Sequence, residues 1–122
     1  MREGTERRRR VVVVEDDGDI ASLLTDILET EGYATIAVSD SRDLDRHLDP
    51  RPDLIVLDLR LTRGGAEQIL TAVRARGMGD VPVLLLSAAN DLADRARALG
   101  VTSHLAKPFE LDELLGVVRG LV

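Results

Sequence analysis

The segment that decides the fold is VVVVEDD, residues 11–17, in which four valines are followed directly by three acids. A short apolar run without polar alternation is typical of a strand that is buried on both faces of a sheet. Similar runs recur along the chain, with a weaker one near its end. We therefore predict five strands, at Val11–Val14, Ala34–Val38, Leu54–Leu57, Val83–Leu86 and, by its place in the order, His104–Ala106.

Stretches with helical periodicity separate these runs. Ile20, Leu23, Leu24, Ile27 and Leu28 form the first apolar stripe, and Gly32 follows where a helix would end. Later stripes predict four more helices, the first of them capped by Ser41 and carrying Leu44 and Leu48, and the others built on Ile69–Val73, Leu92–Leu99 and Leu111–Val118. Strict alternation of strands and helices predicts parallel pairing with right-handed crossovers. The expected fold is an open, doubly wound α/β sheet.

The composition limits the function. A chain of 122 residues has room for one domain, and 44% apolar with 31% charged residues is ordinary for a soluble globular protein. Cysteine is absent, which excludes disulfide scaffolds and thiol catalysis. A net charge of −6 and only two aromatic residues, Tyr33 and Phe109, argue against direct nucleic-acid binding. Without an apolar segment of membrane length or a secretory signal, we expect a cytoplasmic protein.

The N-terminal segment is basic. Residues 7–10 are four consecutive arginines that lead into the first strand, at the edge of the sheet opposite the strand ends where α/β proteins bind ligands. We predict a disordered tail over residues 1–10 and a domain over residues 11–122.

Polar side chains follow the predicted strands. Glu15, Asp16 and Asp17 follow the first strand, Asp58 the third, Ser87 the fourth and Lys107 the fifth. Each has an ordinary structural explanation when taken singly, as a helix cap, a turn residue or a solvated charge. Parallel strands bring their carboxyl ends to one edge, so together they predict a site.

The predicted site has a definite chemistry. Clustered carboxylates repel one another unless a cation neutralises them, and oxygen ligands alone suit Mg²⁺. Carboxylates, Mg²⁺, an ammonium and a hydroxyl around one point are suited to holding a phosphoryl group. Asp58 is then a candidate nucleophile that would form an acyl phosphate. Lys107 is the only lysine among 16 basic residues, which draws attention to it.

At this point the chain resembles a response-regulator receiver domain of the chemotaxis-regulator type, the two-component signalling module that accepts phosphate from a sensor histidine kinase. Four motifs in order carry the resemblance: VVVVEDD, DLIVLDLRL (residues 53–61), VLLLSA (83–88) and AKPF (106–109). It covers residues 11–122 and implies a flavodoxin-like sheet with strand order 2-1-3-4-5.

The resemblance also implies a role for each site residue. Asp58 is the phospho-acceptor, and Mg²⁺ (or Mn²⁺) is bound by Asp16 and Asp58 directly, by the backbone carbonyl of Arg60, and by Glu15 through water. Lys107 pairs with Asp58 at rest and with a phosphoryl oxygen afterwards, and it precedes Pro108 in what is usually a cis peptide. Ser87 is the hydroxyl that turns to the phosphate. Arg60, Ala88 and Ala89 flank the phosphate, and Arg60 and Ala89 predict a phospho-form of moderate to long lifetime.

Two departures from the family pattern stand out. His104 replaces the usual aromatic switch residue, and either tolerates the change as a partly exposed strand residue or turns inward with Ser87, which would make output depend on pH near neutrality. The loop of residues 60–66, RLTRGGA, lacks the usual proline and has two glycines, which should loosen it.

The resemblance predicts a signalling switch and not an enzyme in its own right. Its partners would be a histidine kinase or phosphotransfer protein and an unidentified protein target, with dimerisation through helix 4, strand 5 and helix 5 left open. The alternative is a degenerate receiver that binds protein without phosphorylation. Enzyme classes fit poorly: Arg60 stands where a haloacid-dehalogenase-like phosphatase needs an acid, and neither a P-loop nor an FMN loop follows the first strand.

Overall fold

The computed structural model describes residues 8–58, 65–88, 90–101 and 103–122. Five strands alternate with five helices in this part of the chain. The strands are β1 (Arg10–Val14), β2 (Ala34–Val38), β3 (Leu54–Asp58), β4 (Val83–Ser87) and β5 (Ser103–Ala106). The helices are α1 (Gly18–Thr30), α2 (Ser41–Asp45), α3 (Gly65–Ala75), α4 (Leu92–Leu99) and α5 (Leu111–Leu121).

The strands form one parallel sheet in the order β2-β1-β3-β4-β5, which confirms the predicted fold and strand order. At the centre, Val14 of β1 pairs with Leu57 of β3, and Asp58 pairs with Leu86 of β4. The carboxyl ends of β1, β3 and β4 therefore reach the same edge of the sheet.

Two apolar layers cover the sheet. Alternate residues of β1 point to opposite faces, so Val11 and Val13 pack with α1 and α5, while Val12 and Val14 pack with α2, α3 and α4. All four valines are completely buried. The valine run thus supplies both cores at once, which explains why it has no polar alternation.

The edge strands are more exposed than their sequences suggest. The run in β2 was predicted to be buried on both faces, yet only Val38 of its five residues is buried. β2 has a neighbouring strand on one side only. β5, at the other edge, has no fully buried residue.

Helix α2 differs from the prediction at both ends. Asp40, not Ser41, is its N-cap, and the Asp40 carboxylate accepts a hydrogen bond of 2.8 Å from the N–H of Asp43. The helix ends at Asp45, so Leu48 lies beyond it, although its side chain is fully buried. A buried leucine at helical spacing therefore does not show that the helix continues to it.

The N-terminal arginines are bound to the domain where the structure describes them. The guanidinium of Arg8 donates to the carbonyls of Gly32 and Tyr33, and Arg10 belongs to β1. Ordered contacts thus reach back to Arg8, into the segment predicted to be a disordered tail, and the predicted disorder of residues 1–7 lies outside the described residues. In the described part of the chain, no helix combines the length and apolar character needed to cross a membrane.

Candidate site at the carboxyl edge of the sheet

Four strands deliver polar side chains to one edge of the sheet. Asp58 is the last residue of β3 and Ser87 the last residue of β4, while Glu15 and Lys107 directly follow β1 and β5. Three of these side chains are buried: Asp58 is 1% exposed, Ser87 2% and Glu15 4%. Among the described residues, they are the buried polar or charged ones, so buried polarity is concentrated at this edge.

The centre of the site is an ion pair between Asp58 and Lys107. The ammonium Nζ lies 2.7 Å from Asp58 Oδ2, and the lysine side chain is only 21% exposed. The backbone N–H of Lys107 donates to the carbonyl of Ser87 at 2.9 Å, which fixes the start of this lysine against the end of β4. The Lys107–Pro108 peptide bond is cis, as the resemblance implies.

Glu15 is the buried acid of the cluster whose hydrogen bonding is incomplete. Its Oε2 accepts from the N–H of Asp17 at 3.1 Å, but Oε1 is buried without a hydrogen-bond partner in the described part of the chain. The pKa of Glu15 is raised from 4.5 to about 7 by burial, by hydrogen bonding to Asp58 and by repulsion from that carboxylate. The N–H of Asp17 and the positive charge of Lys107 lower this pKa, but by less. The two carboxyls can share a hydrogen bond only when one carries a proton.

This arrangement fits a hard divalent cation. A cation beside Glu15 and Asp58 would replace the shared proton and give the orphaned Oε1 a partner, directly or through water. Asp16, the third predicted side-chain ligand, lies exposed in the loop after β1. The described residues contain no group of three or more acidic or histidine side chains around one point, and the Arg60 carbonyl lies outside them. The predicted ligand set is thus brought together only in part.

The other predicted residues lie around this centre. Ala88 is exposed next to Ser87, and His104 is exposed on β5, whereas Ala89 and the loop of residues 59–64 are outside the described residues. Asp17 takes the role of helix cap, which was the ordinary structural explanation offered for the acids after the first strand. Its side chain caps α1 by accepting from the N–H groups of Asp19 and Ile20, and its own N–H orients Glu15. The acid before Gly-Asp-Ile at a helix start was the signal for that cap.

Known proteins have similar sequences and the same fold. The response regulator receiver domain family matches residues 11–119. The chain is 34% identical over 116 residues to the response regulator MprA of Mycolicibacterium vanbaalenii and 38% identical over 116 residues to the transcriptional regulatory protein PrrA of Mycobacterium tuberculosis. Both matches cover 93% of this chain, but 50% and 49% of the relatives. The chain thus spans about half the length of the curated relatives it matches.

Solved structures agree on the fold. The chemotaxis protein CheY4 of Vibrio cholerae superimposes with a TM-score of 0.84 at 23% identity, over 95% of this chain and 100% of that one. NtrX of Brucella abortus superimposes with a TM-score of 0.82 at 28% identity, over 94% of this chain and 27% of that one. With the match over residues 11–119, these similarities establish that the chain belongs to the response regulator receiver domain family.

Proposed function

We propose that this domain accepts a phosphoryl group on Asp58 from a histidine kinase or phosphotransfer protein, with Mg²⁺ or Mn²⁺, and thereby changes its affinity for a partner. The observation that carries the proposal is the buried Asp58 carboxylate held 2.7 Å from the Lys107 ammonium beside a second buried acid. Helix capping or surface solvation would not require burial of these groups. A site that receives a highly charged phosphoryl group would require such burial.

In the proposed reaction, an Asp58 carboxylate oxygen attacks the phosphorus and the bond from phosphorus to the donor's imidazole nitrogen breaks. The bonding electrons stay on that nitrogen, and the product is an acyl phosphate. Lys107 is placed to turn from Asp58 to a phosphoryl oxygen, because its ammonium is a compact charge on a flexible stem. Asp58, Asp16 and the Arg60 carbonyl would hold Mg²⁺ directly and Glu15 through water, and the bound ion would neutralise charge on the phosphoryl oxygens.

The switch would act through neighbours of the phosphate. Ser87, buried at the end of β4, supplies a hydroxyl for a phosphoryl oxygen. His104 lies on the adjacent strand and is exposed, so a change in its position would alter the surface next to α4 and α5. Arg60, Ala88 and Ala89 would flank the phosphate and set its lifetime. We propose a switch of this kind.

The output partner is proposed from chemistry and relatives. One relative is named a DNA-binding response regulator, MtrA of Mycolicibacterium smegmatis, and the match covers 50% of that protein. The acidic domain described here is not itself suited to DNA, so we propose that it signals by protein contact in the cytoplasm. The exposed charges of α4 and α5, Arg95, Arg97, Asp112, Glu113 and Arg119, offer cross-pairs for a dimer through α4, β5 and α5.

Intact mass after incubation with acetyl phosphate tests the proposal. We expect a Mg²⁺-dependent phosphoryl gain in the wild type, no gain in Asp58→Asn, and an unchanged gain in Asp94→Asn, which alters an exposed acid of α4. A folded wild type that gains nothing would contradict phospho-acceptance and favour the degenerate receiver. A gain that persists in Asp58→Asn would contradict the assignment of the acceptor.

A further inference from the structure

The side chains of the central strands β1 and β3 do little to fix the register in which the two strands pair. Val11–Val14 and Leu54–Leu57 are at most 1% exposed, and each strand presents apolar side chains to both faces of the sheet. In a strand with one polar face, a one-residue slip would expose apolar side chains and bury polar ones. Here a slip would exchange one apolar side chain for another. Burial therefore selects the register of this pair only weakly.

The register nevertheless decides the geometry of the site. The pairing of Val14 with Leu57 places Glu15 and Asp58 at the next position, side by side. A slip by one residue would move one carboxylate along the strand by about 3.3 Å relative to the other and turn it to the opposite face. The two acids could not then act at one point.

At the amino ends of the same two strands, a pair of hydrogen bonds locks one strand to the other. The N–H of Arg10 donates to Asp53 Oδ2 at 2.8 Å, and the N–H of Asp53 donates to the carbonyl of Arg10 at 2.8 Å. The Arg9 guanidinium lies 4.0 Å from Asp53 Oδ1. A slip by one residue would turn the N–H and carbonyl of Arg10 away from Asp53, so it would break both hydrogen bonds.

We infer that Asp53 is a positioning residue for the phosphorylation site: its exchange with the Arg10 backbone fixes the β1–β3 register and so sets Glu15 beside Asp58 at the far end of the strands. The part that concerns phosphorylation rests on the proposed function. The part that concerns register does not. Asp53 precedes the first residue of β3 and Asp58 is its last residue, so the two acids lie at opposite ends of this strand.

Three variants test this role. Asp53→Ala removes the acceptor of the Arg10 N–H, whereas Asp53→Asn keeps an oxygen there. Asp80→Ala is the matched control, because Asp80 lies shortly before β4 at the same edge and pairs with Arg51 at 2.6 Å without a hydrogen bond to a strand. The readouts are cross-strand backbone NOEs and the initial rate of Asp58 phosphorylation by acetyl phosphate. All are measured in sucrose, which restores the folded fraction of weakened variants.

We expect Asp53→Ala to weaken the β1–β3 NOEs while the β1–β2 NOEs remain, and to slow phosphorylation about tenfold, since misplacement of reacting groups costs rate steeply. Asp53→Asn and Asp80→Ala should stay within about twofold of wild type. Wild-type β1–β3 NOEs in Asp53→Ala would overturn the inference, as would an equal loss of β1–β2 and β1–β3 NOEs. If the wild type is not phosphorylated, the proposed function fails, but the NOEs still decide the register.

Discussion

The amino ends and the carboxyl ends of the strands form two edges of the sheet, and these two edges differ in how their charged side chains are paired. At the amino edge, arginines donate to backbone carbonyls at or beyond helix ends: Arg8 to Gly32 and Tyr33, Arg10 to His47 and Pro50, and Arg74 to Leu99. At the carboxyl edge, two buried acids, Glu15 and Asp58, lie beside the single ammonium of Lys107, and one carboxylate oxygen has no partner in the described residues.

The difference separates stability from function. A guanidinium near the carboxyl end of a helix satisfies exposed carbonyls and is favoured by the helix dipole, so the amino edge stabilises the fold. The carboxyl edge buries charges that are incompletely paired, which costs stability. Buried groups that still require a partner are suited to binding a cation and a phosphoryl group. Substitutions at the amino edge should therefore change stability alone, whereas removal of a buried negative charge at the carboxyl edge should raise stability and substitutions there should change phosphorylation.

The largest effect should come from Lys107→Met. Loss of the ammonium removes the positive charge that lies beside two buried acids, Asp58 and Glu15, and we expect the free energy of unfolding at pH 8 to fall by about 3 kcal/mol. Urea denaturation followed by circular dichroism measures it. The control is Arg97→Met, which breaks an exposed pair with Asp94 on α4 and should change stability by less than about 0.5 kcal/mol. Equal effects of the two variants would contradict the special status of the carboxyl edge.

At the amino edge, Arg10→Ala should be destabilising but functionally silent. The substitution removes side-chain hydrogen bonds of 3.0 and 2.8 Å to Pro50 and His47, and we expect a loss of about 1.5 kcal/mol. The backbone exchange with Asp53 remains, so the initial rate of phosphorylation should stay at the wild-type value. Arg9→Ala, which removes one 4.0 Å contact, is the control. A slowed phosphorylation in Arg10→Ala would show that the edges are coupled through this side chain.

Glu15→Gln should have the opposite sign. Because the pKa of Glu15 is raised to about 7 in the folded protein from an ordinary 4.5, the folded state binds the proton more tightly, and this group removes stability as the pH rises from about 4.5 through 7. The variant should therefore be more stable than wild type at pH 8, by on the order of 1 kcal/mol, with the gain shrinking towards pH 5.

Urea denaturation of both proteins without Mg²⁺ at several pH values between 5 and 8 tests this. Glu67→Gln, at an exposed position in the first turn of α3, should give no such pH-dependent difference. A gain for Glu15→Gln that is constant across the range would mean that burial of its charge is not the cause.

The smallest effect should come from His104→Tyr. The side chain is exposed on β5, so the unfolding free energy should stay within about 0.5 kcal/mol of wild type. Stability and partner affinity of the phosphorylated protein, measured between pH 6 and 8, check the two possibilities for this residue. A pH dependence of affinity that the tyrosine variant loses would support an active switch, whereas pH-independent affinity in the wild type would leave a tolerated strand residue.

Particular residues show how far sequence reasoning reached. The valine run and the glycines that end helices were sufficient for the elements, and Gly100 does end α4 in the left-handed conformation at φ 75°. The ends of the predicted strands were sufficient to identify four residues that the structure brings to one edge: Asp58, Lys107, Ser87 and Glu15. The cap of α2 was misplaced by one residue, since Asp40 and Ser41 are both good caps and only backbone geometry separates them.

The sequence by itself determined the class of this protein, because local apolar periodicity sets strands and helices and the polar residues that follow strands need no long-range information. Only the tertiary structure decided how the groups act on one another. The raised pKa of Glu15, the orphaned oxygen beside Asp58 and the lock between Arg10 and Asp53 each join residues far apart in the chain. Their energies depend on distance and burial, which exist only once the strands have been packed in register.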